Sequence, residues 1–182
     1  MIEEILRFNQ AFVEQKGYEE HITTKYPDKK LAILTCMDTR LTRLLPAALG
    51  LKNGDAKIIK NAGGLIISPF DSAMRSLLVG IYELGVEEIM VIHHSDCGAC
   101  HMSGTEMKAL MLSRGIPSVK IDTIDQCGGK LAEWLEGFHD TERSVKNTVE
   151  TIRNYPLIPA DVKVSGYIID SVTGKLTVVD TK

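Results

Sequence analysis

The 182-residue sequence lacks long hydrophobic runs, has few aromatic residues and carries no excess of basic residues. No apolar stretch approaches the roughly 18 residues that a membrane helix needs, and the run from Leu77 to Tyr82 is stopped by Glu83. Aromatic residues make up 5% of the chain and the formal net charge is −3, so we expect neither a nucleic-acid partner nor a membrane partner. The acidic start of the chain (MIEE) has no signal-peptide core, which predicts a cytoplasmic protein.

The remaining composition is that of an ordinary folded protein, with 44% hydrophobic and 25% charged residues. The length suits one globular domain. The four cysteines are Cys36, Cys97, Cys100 and Cys127. In a reducing cytoplasm they are first interpreted as metal ligands, catalytic thiols or core residues. Cys127 stands beside two glycines, has no evident partner in the sequence and is predicted to be a core thiol.

The first 29 residues form a separate segment in the sequence pattern. Apolar residues recur at helical spacing over residues 2–13, and this stripe ends near Gly17. So short an amphipathic helix needs a surface to pack on, which could belong to its own domain or to a partner subunit. We therefore divide the chain into an N-terminal helical arm (1–29) and a main domain (30–182).

The main domain begins with strands and helices in alternation. Strands are predicted at Lys30–Cys36, Asp55–Lys60 and Glu88–His93, with helices at Leu41–Leu49 and from the N-cap Asp71 to Leu84. This order implies right-handed crossovers and a parallel sheet. Residues 100–155 are mainly helical in pattern, with breaks at 115–117 and 127–129, and strands at 162–170 and 176–179 form a closing hairpin. We predict a single α/β domain.

The first motif with chemical potential is Cys36-x-Asp38-x-Arg40 at the end of the first strand. If the segment stays extended, the three side chains share one face. A thiolate is a good zinc ligand. The carboxylate could coordinate the same ion or accept a hydrogen bond from a metal-bound water, and the guanidinium could hold it in a bidentate pair.

The second motif is His94-Ser-Asp96-Cys97-Gly98, just after the third strand. On a helical turn, His94 and Cys97 would share one face. If the first strand lies between the second and the third, both motifs meet at the carboxyl edge of the sheet, where open α/β sheets bind ligands. Three ligands with a vacant fourth position would be a catalytic zinc site. Asp96 could cap the turn or orient His94, and this choice stays open.

Taken together, these motifs resemble the β-class carbonic anhydrases, most closely the compact prokaryotic type. The resemblance also rests on Asn61-Ala-Gly63 after the second strand and on the segments at 164–167 and 173–174, and it covers roughly residues 30–180. It implies a sheet of about four parallel strands plus an antiparallel edge strand, with flanking helices. It also implies a homodimer or higher homo-oligomer, so that the arm (1–29) would pack on a partner subunit.

The resemblance implies Zn²⁺ held by Cys36, His94 and Cys97 in the main domain. The catalytic pair would be Asp38 and Arg40, with Asp38 either the fourth metal ligand or the acceptor of a hydrogen bond from the metal-bound hydroxide. The expected reaction is the reversible hydration of CO2 to bicarbonate by that hydroxide. Three further residues would shape the substrate pocket: Asn61, Gly63 and Gly98. Asn61 and Gly63 could equally be purely structural.

Other interpretations of the same residues remain open. Relatives of this fold hydrolyse carbonyl sulfide or carbon disulfide, and the site could do the same. Cys100 could be a fourth ligand that closes a non-catalytic zinc or thiol site. The segment Cys97-x-x-Cys100-His101 also fits the spacing for haem attachment and for a redox dithiol. His93 and His101 are candidates for the proton shuttle.

Overall fold

A five-stranded sheet organises the computed structural model, which describes residues 1–181. The strands are β1 (Leu31–Cys36), β2 (Ala56–Asn61), β3 (Glu88–His94), β4 (Lys163–Ile169) and β5 (Leu176–Val179). The helices are α1 (Ile2–Glu14), α2 (Leu41–Ala48), α3 (Ser72–Leu84), α4 (Gly104–Ser113), α5 (Ser118–Gln126), α6 (Leu131–Trp134) and α7 (Thr141–Arg153). Short 3-10 turns lie at Glu19–His21, Ala62–Gly64 (the glycine turn) and Gly98–His101 (the cysteine turn).

The order of the strands confirms the predicted topology. It is β2-β1-β3-β4-β5, with β2, β1, β3 and β4 mutually parallel and β5 antiparallel to β4. The central position of β1 places the ends of β1 and β3 side by side, with Thr35 opposite Ile92. The carboxyl edge of the sheet therefore brings the residues after Cys36 next to those after His94. The chain is a single α/β domain with flanking helices.

The sheet is covered on both faces, which explains the continuous apolar run of β1. Residues of β1 enter two clusters: Ala32 and Leu34 pack with helices α3 and α7, while Ile33 and, at the end of the strand, Cys36 pack with helix α2. The second cluster contains Leu41, Leu45, Ile92, Cys97, Ala99 and Ile169. A strand with two buried faces shows no polar alternation. The cysteines of both motifs thus lie in one apolar layer.

The helix signals in the sequence are confirmed where side chains cap the ends. The Asp71 carboxylate accepts a 2.8 Å hydrogen bond from the Met74 N–H, and α3 ends at Gly85 in the left-handed conformation. The breaks in the helical region also lie where they were predicted, because Gly115 and Gly128 both have positive φ.

Helix α1 forms as predicted but buries none of its residues within the described chain. Its apolar side chains Ile2, Ile5, Leu6 and Phe8 are between 62% and 74% exposed. The domain itself therefore does not supply the surface that this stripe needs, and packing on a partner stays a prediction. None of the helices within residues 1–181 has the length and apolar content needed to span a bilayer.

Candidate metal centre

Three side chains that can bind a metal converge at the carboxyl edge of the sheet. Cys36 ends β1, His94 ends β3, and Cys97 follows three residues later. One ligand atom from each lies within 4.8 Å of the others, and all three residues are buried. The expectation that the fold brings the two motifs together is confirmed.

The spacing of the two sulfurs fits a bound metal better than a disulfide. The Sγ atoms of Cys36 and Cys97 are 3.8 Å apart, and both cysteines are free. A disulfide needs about 2.05 Å between sulfurs. Two thiolates that bind one tetrahedral zinc ion at about 2.3 Å lie roughly 3.8 Å from each other. The observed distance matches the second geometry.

His94 has the tautomer that a metal ligand requires. Its Nδ1 lies 2.8 Å from the carbonyl oxygen of Ser95. A carbonyl can only accept, so Nδ1 carries the proton and Nε2 is left with a free lone pair. The Nε2 atom is buried and has no hydrogen-bond partner among the described residues. Such an orphaned nitrogen beside two sulfurs is accounted for by a metal ion, because an unpaired buried polar atom is costly.

The loop after β3 is a tight turn rather than the helical turn that the spacing suggested. Asp96 has a positive φ of 54°, and Cys97 returns to extended backbone. The Ser95 N–H donates to the Ile169 carbonyl at 3.0 Å, which ties the turn to the end of β4. The left-handed residue between His94 and Cys97 reverses the chain, so both side chains face Cys36.

The two thiols influence each other's ionisation. The Cys97 S–H stabilises a thiolate at Cys36, and the backbone N–H groups of Asp38 and Gly63 also donate to that sulfur. The pKa of Cys36 is therefore lowered to about 4, while the pKa of Cys97 is raised by the neighbouring thiolate and by burial. One thiolate is thus present at neutral pH, and a cation would favour loss of the second proton.

Asp38 and Arg40 form a bidentate ion pair beside the three ligand candidates. The guanidinium Nε lies 3.0 Å from Oδ1 and Nη2 lies 2.8 Å from Oδ2. The pair forms in a turn and not on an extended face, because the Arg40 N–H also donates to Oδ1 at 2.8 Å. The hydrogen bonds from Arg40 lower the pKa of Asp38 to about 2. The carboxylate is therefore ionised throughout the neutral range.

Asp38 faces the ligand candidates without joining their cluster. Its Oδ2 lies 3.9 Å from His94 Nε2, while Arg40 occupies both carboxylate oxygens. Asp38 is therefore placed to contact a molecule at the fourth coordination position of a metal held by the three ligand candidates. Its alternative role, as the fourth ligand itself, stays a prediction.

Asp96 is a site residue whose partner could not be identified from the sequence. Its carboxylate accepts a 2.8 Å hydrogen bond from Arg40 Nη1, and its backbone carbonyl accepts another from Nη2. Neither of the two roles considered for it, capping the turn or orienting His94, included this contact. The only sequence signal is a carboxylate inside the second motif. Asp96 helps to fix the guanidinium that holds Asp38.

The candidate pocket residues surround the glycine turn and the cysteine turn. Both polar atoms of the Asn61 side chain bond to the backbone of Leu65, at 2.7 and 2.9 Å. Gly63 packs against the cysteine turn, since a Cβ built on it would lie 3.2 Å from Ala99 Cβ. A Cβ on Gly98 would meet nothing within 4 Å. Asn61 thus holds its turn together, and substrate contacts at these three residues stay predictions.

His93 is fully buried beside the centre, with Nε2 3.2 Å from the Gly64 carbonyl oxygen. Its ring stacks on Phe138 with 5.6 Å between the centroids. Burial lowers the pKa of His93 to about 4, so the ring is neutral at physiological pH.

The remaining cysteines are separate from the ligand cluster. Among the described residues, the cluster comprises Cys36, His94 and Cys97 and does not include Cys100. This arrangement gives no support to a closed site with Cys100 as fourth ligand. The prediction that Cys127 is a core thiol is wrong, because Cys127 is exposed at the end of α5.

Comparison with known proteins agrees with this site and this fold. The family model described as "Carbonic anhydrase" matches residues 31–176. A Bacillus subtilis (strain 168) protein named "Putative carbonic anhydrase YtiB" is 49% identical over 179 residues, which is 98% of this chain and 96% of the relative. The crystal structure of β-carbonic anhydrase isoform I from Trichomonas vaginalis superposes with a TM-score of 0.89 at 39% identity, covering 98% of this chain and 97% of that one.

A second named activity occurs among the relatives. A carbon disulfide hydrolase from Saccharolobus solfataricus is 33% identical over 166 residues, covering 82% of this chain and 76% of the relative. Relatives of this chain therefore carry two different enzyme names, carbonic anhydrase and carbon disulfide hydrolase.

Proposed function

This chain belongs to the β-class of the carbonic anhydrase family, and from that membership we propose that it catalyses the reversible hydration of CO2 to bicarbonate. The chain is an enzyme of this family, and the substrate is the part that we propose. The observation that carries the proposal is the cluster of Cys36, His94 and Cys97 beside an ionised carboxylate.

We propose that these three residues hold Zn²⁺. Two thiolates and one imidazole are donors that zinc prefers, and three protein ligands leave one position vacant. When bound, the metal supplies Lewis acidity that lowers the pKa of a coordinated water toward 7. The Ser95 carbonyl keeps the proton of His94 on Nδ1, so that Nε2 stays available as a ligand.

Asp38 orients the reacting water in this proposal. Arg40 keeps the pKa of Asp38 at about 2, so the carboxylate can only accept hydrogen bonds at neutral pH. An acceptor that is fixed beside the vacant position directs one O–H toward itself and turns an oxygen lone pair toward the substrate. Arg40 fixes the carboxylate by donating a hydrogen bond to each of its oxygens. The Asp96 carboxylate in turn accepts a hydrogen bond from Arg40 and holds the guanidinium in place.

The surroundings suit a small apolar substrate. The three ligand residues are at most 6% exposed, while the Asp38 and Arg40 side chains are 18% and 39% exposed and form the open side. A Cβ built on Gly98 would meet no atom within 4 Å outside its chain neighbours, so we propose that CO2 approaches there.

The test is the hydration rate of CO2 on zinc-loaded protein, measured by stopped flow between about pH 6.5 and 9. The proposal expects activity that disappears with a chelator and returns with Zn²⁺. Metal-loaded protein that gives no CO2 hydration anywhere in this range would contradict it.

The second candidate is hydrolysis of carbonyl sulfide or carbon disulfide at the same site. It is favoured by the relative named as a carbon disulfide hydrolase. Both molecules are linear like CO2, so the same carboxylate would orient the same attacking water. The two candidates are separated by measuring kcat/KM for CO2 and for each sulfur compound on one preparation.

We also propose that α1 packs on a second copy of this chain. Its apolar stripe has no cover within the described residues, and the polar residues of α1 lie on the other face. A homodimer would bury this stripe at no cost to the fold of the main domain. The division into an arm (1–29) and a main domain (30–182) stays part of this proposal.

A further inference from the structure

His93 lies behind the metal centre and links two turns that flank it. Its Nε2 reaches the carbonyl oxygen of Gly64 in the glycine turn at 3.2 Å. Its ring stacks on Phe138, whose N–H donates to the Ala99 carbonyl of the cysteine turn at 3.1 Å. One buried side chain thus connects the turn beside Cys36 with the turn that follows Cys97.

The glycine turn has almost no room to move relative to Cys36. A Cβ built on Gly64 would lie 3.0 Å from the carbonyl carbon of Thr35 and 3.1 Å from the backbone N of Cys36. The Met37 N–H donates to the Asn61 carbonyl at 2.8 Å, just before the turn. A shift of Gly64 would therefore be transmitted to the backbone that carries the Cys36 sulfur.

The cysteine turn is held in the same way from the Phe138 side. Gly137 packs directly on the Ala99 carbonyl, because a Cβ built on Gly137 would overlap that oxygen. The Gly137 N–H donates a hydrogen bond to the Met102 carbonyl oxygen at 3.0 Å. The ring of His93 therefore rests on a segment that is itself fixed to the residues after Cys97.

The imidazole of His93 has a free-energy cost in the core that an apolar side chain would avoid. The Gly64 carbonyl can only accept a hydrogen bond, so the neutral His93 ring carries its proton on Nε2. Its Nδ1 is then unprotonated and can act only as an acceptor. Nδ1 is buried and has no hydrogen-bond partner among the described residues. Phenylalanine would stack on Phe138 without that unpaired atom. A local rule broken in this manner is typical of a functional site.

We propose that His93 is a positioning residue of the metal centre, which fixes the glycine turn through its Nε2–H bond and the cysteine turn through Phe138. By this means the two sulfurs are held at the spacing that a metal needs. The inference rests on metal binding by the three proposed ligands and is independent of the substrate.

The test compares His93→Phe, which keeps the ring and removes the donor, with His93→Gln, which restores a donor. Ile89→Val, in the core at the far end of β3, is the matched control for a general loss of packing. Metal affinity is measured by chelator competition. The thiolate-to-metal absorption of Co²⁺-loaded protein and the hydrogen exchange of the Gly63 and Gly64 amides in metal-free protein are measured beside it.

We expect His93→Phe to weaken metal binding by about 10-fold, the loss that follows removal of a supporting contact in a metal site. The Co²⁺ absorption should shift and the two glycine amides should exchange faster. His93→Gln, which keeps a donor but lacks the ring that stacks on Phe138, should recover part of the affinity, and Ile89→Val should bind as the wild type does.

Wild-type affinity, absorption and exchange in His93→Phe would overturn the inference and leave His93 as a core residue. If His93→Phe does not fold, His93→Gln is compared with His93→Leu, which lacks both the ring and the donor. Equal metal affinities of these two variants would overturn the role of the donor. A wild-type protein that binds Co²⁺ through two sulfurs but hydrates no CO2 would refute the proposed function alone.

Discussion

Arg40 grips both carboxylate oxygens of Asp38, with Nε 3.0 Å from Oδ1 and Nη2 2.8 Å from Oδ2. The same carboxylate reaches to 3.9 Å from His94 Nε2, the nitrogen that is left free for a metal. The pair therefore joins the solvent side of the site to its buried ligands. The proposed orientation of the reacting water depends on Asp38 keeping this position.

Asp38→Asn should lower kcat for CO2 hydration by about 100-fold, because an uncharged amide is a weaker acceptor for the hydrogen bond from the reacting water and is not held by an ion pair with Arg40. Zinc content, measured by atomic absorption, should stay at the wild-type level, since the three proposed ligands are unchanged.

The control for this variant is Asp96→Asn, which removes only the outer partner of Arg40. The Asp96 side chain is 83% exposed, and such ion pairs contribute at most about 1 kcal/mol, so its loss should cost no more than about 5-fold in kcat. Equal effects of the two variants would contradict a direct role for Asp38.

Removal of the metal should destabilise the folded chain as well as abolish activity. At free zinc of about 1,000 times Kd, binding contributes about 4 kcal/mol to stability, so a chelator should lower Tm in differential scanning calorimetry. Cys97→Ser should show a low Tm with or without zinc.

The matched control is Cys100→Ser, which changes a nearby thiol outside the ligand cluster. It should keep both the zinc and the rise in Tm. Loss of the metal in Cys100→Ser would instead support the closed, non-catalytic site.

The hairpin that follows β4 should respond to acid. Asp170 accepts hydrogen bonds from the Thr173 N–H at 2.7 Å and from the Thr173 hydroxyl at 2.9 Å, which lower its pKa below the ordinary carboxyl value. The folded chain therefore binds this proton less readily than the unfolded chain. The stabilisation is present above the ordinary carboxyl pKa of about 4 and is lost as the pH falls through the lower, folded value.

Asp170→Asn should therefore show a smaller decrease of Tm between neutral and acidic pH than the wild type does. Asp161→Asn, in the exposed turn two residues before β4, serves as the control and should follow the wild type. Identical slopes for all three proteins would show that the hairpin carboxylate does not contribute.

Leu6→Glu should convert the proposed homodimer to monomers, because it places a charge on the apolar stripe of α1. Light scattering after gel filtration measures the mass. Gln10→Glu adds the same charge to the polar side of this helix and should leave the mass unchanged. A wild-type chain that is monomeric at all concentrations would refute the packing of α1 on a second copy.

The sequence predicted those parts of the fold that depend on periodic burial. The parallel sheet followed from short apolar strands that alternate with helices. The meeting of Cys36 with His94 was predicted on the condition that β1 lies between β2 and β3, and the strand order fulfils that condition. The two turns that aim the side chains were predicted with the wrong conformation. The Asp38 carboxylate accepts a hydrogen bond from the Arg40 backbone N–H, and Asp96 has a positive φ. Both are local backbone features, which the periodicity of apolar residues does not predict.

Contacts between distant residues were the other gap. The Arg40–Asp96 pair joins residues that are 56 positions apart, so it depends on the completed sheet. The exposure of Cys127 likewise depends on how α5 lies against its neighbours, because its sequence surroundings are equally compatible with a buried thiol.

The coordination shell of the zinc-loaded wild type, measured by X-ray absorption at neutral pH, tests the site most directly. The account predicts two sulfur ligands and one imidazole nitrogen, with an oxygen in the fourth position. A shell with three sulfurs, or one without sulfur, would contradict it.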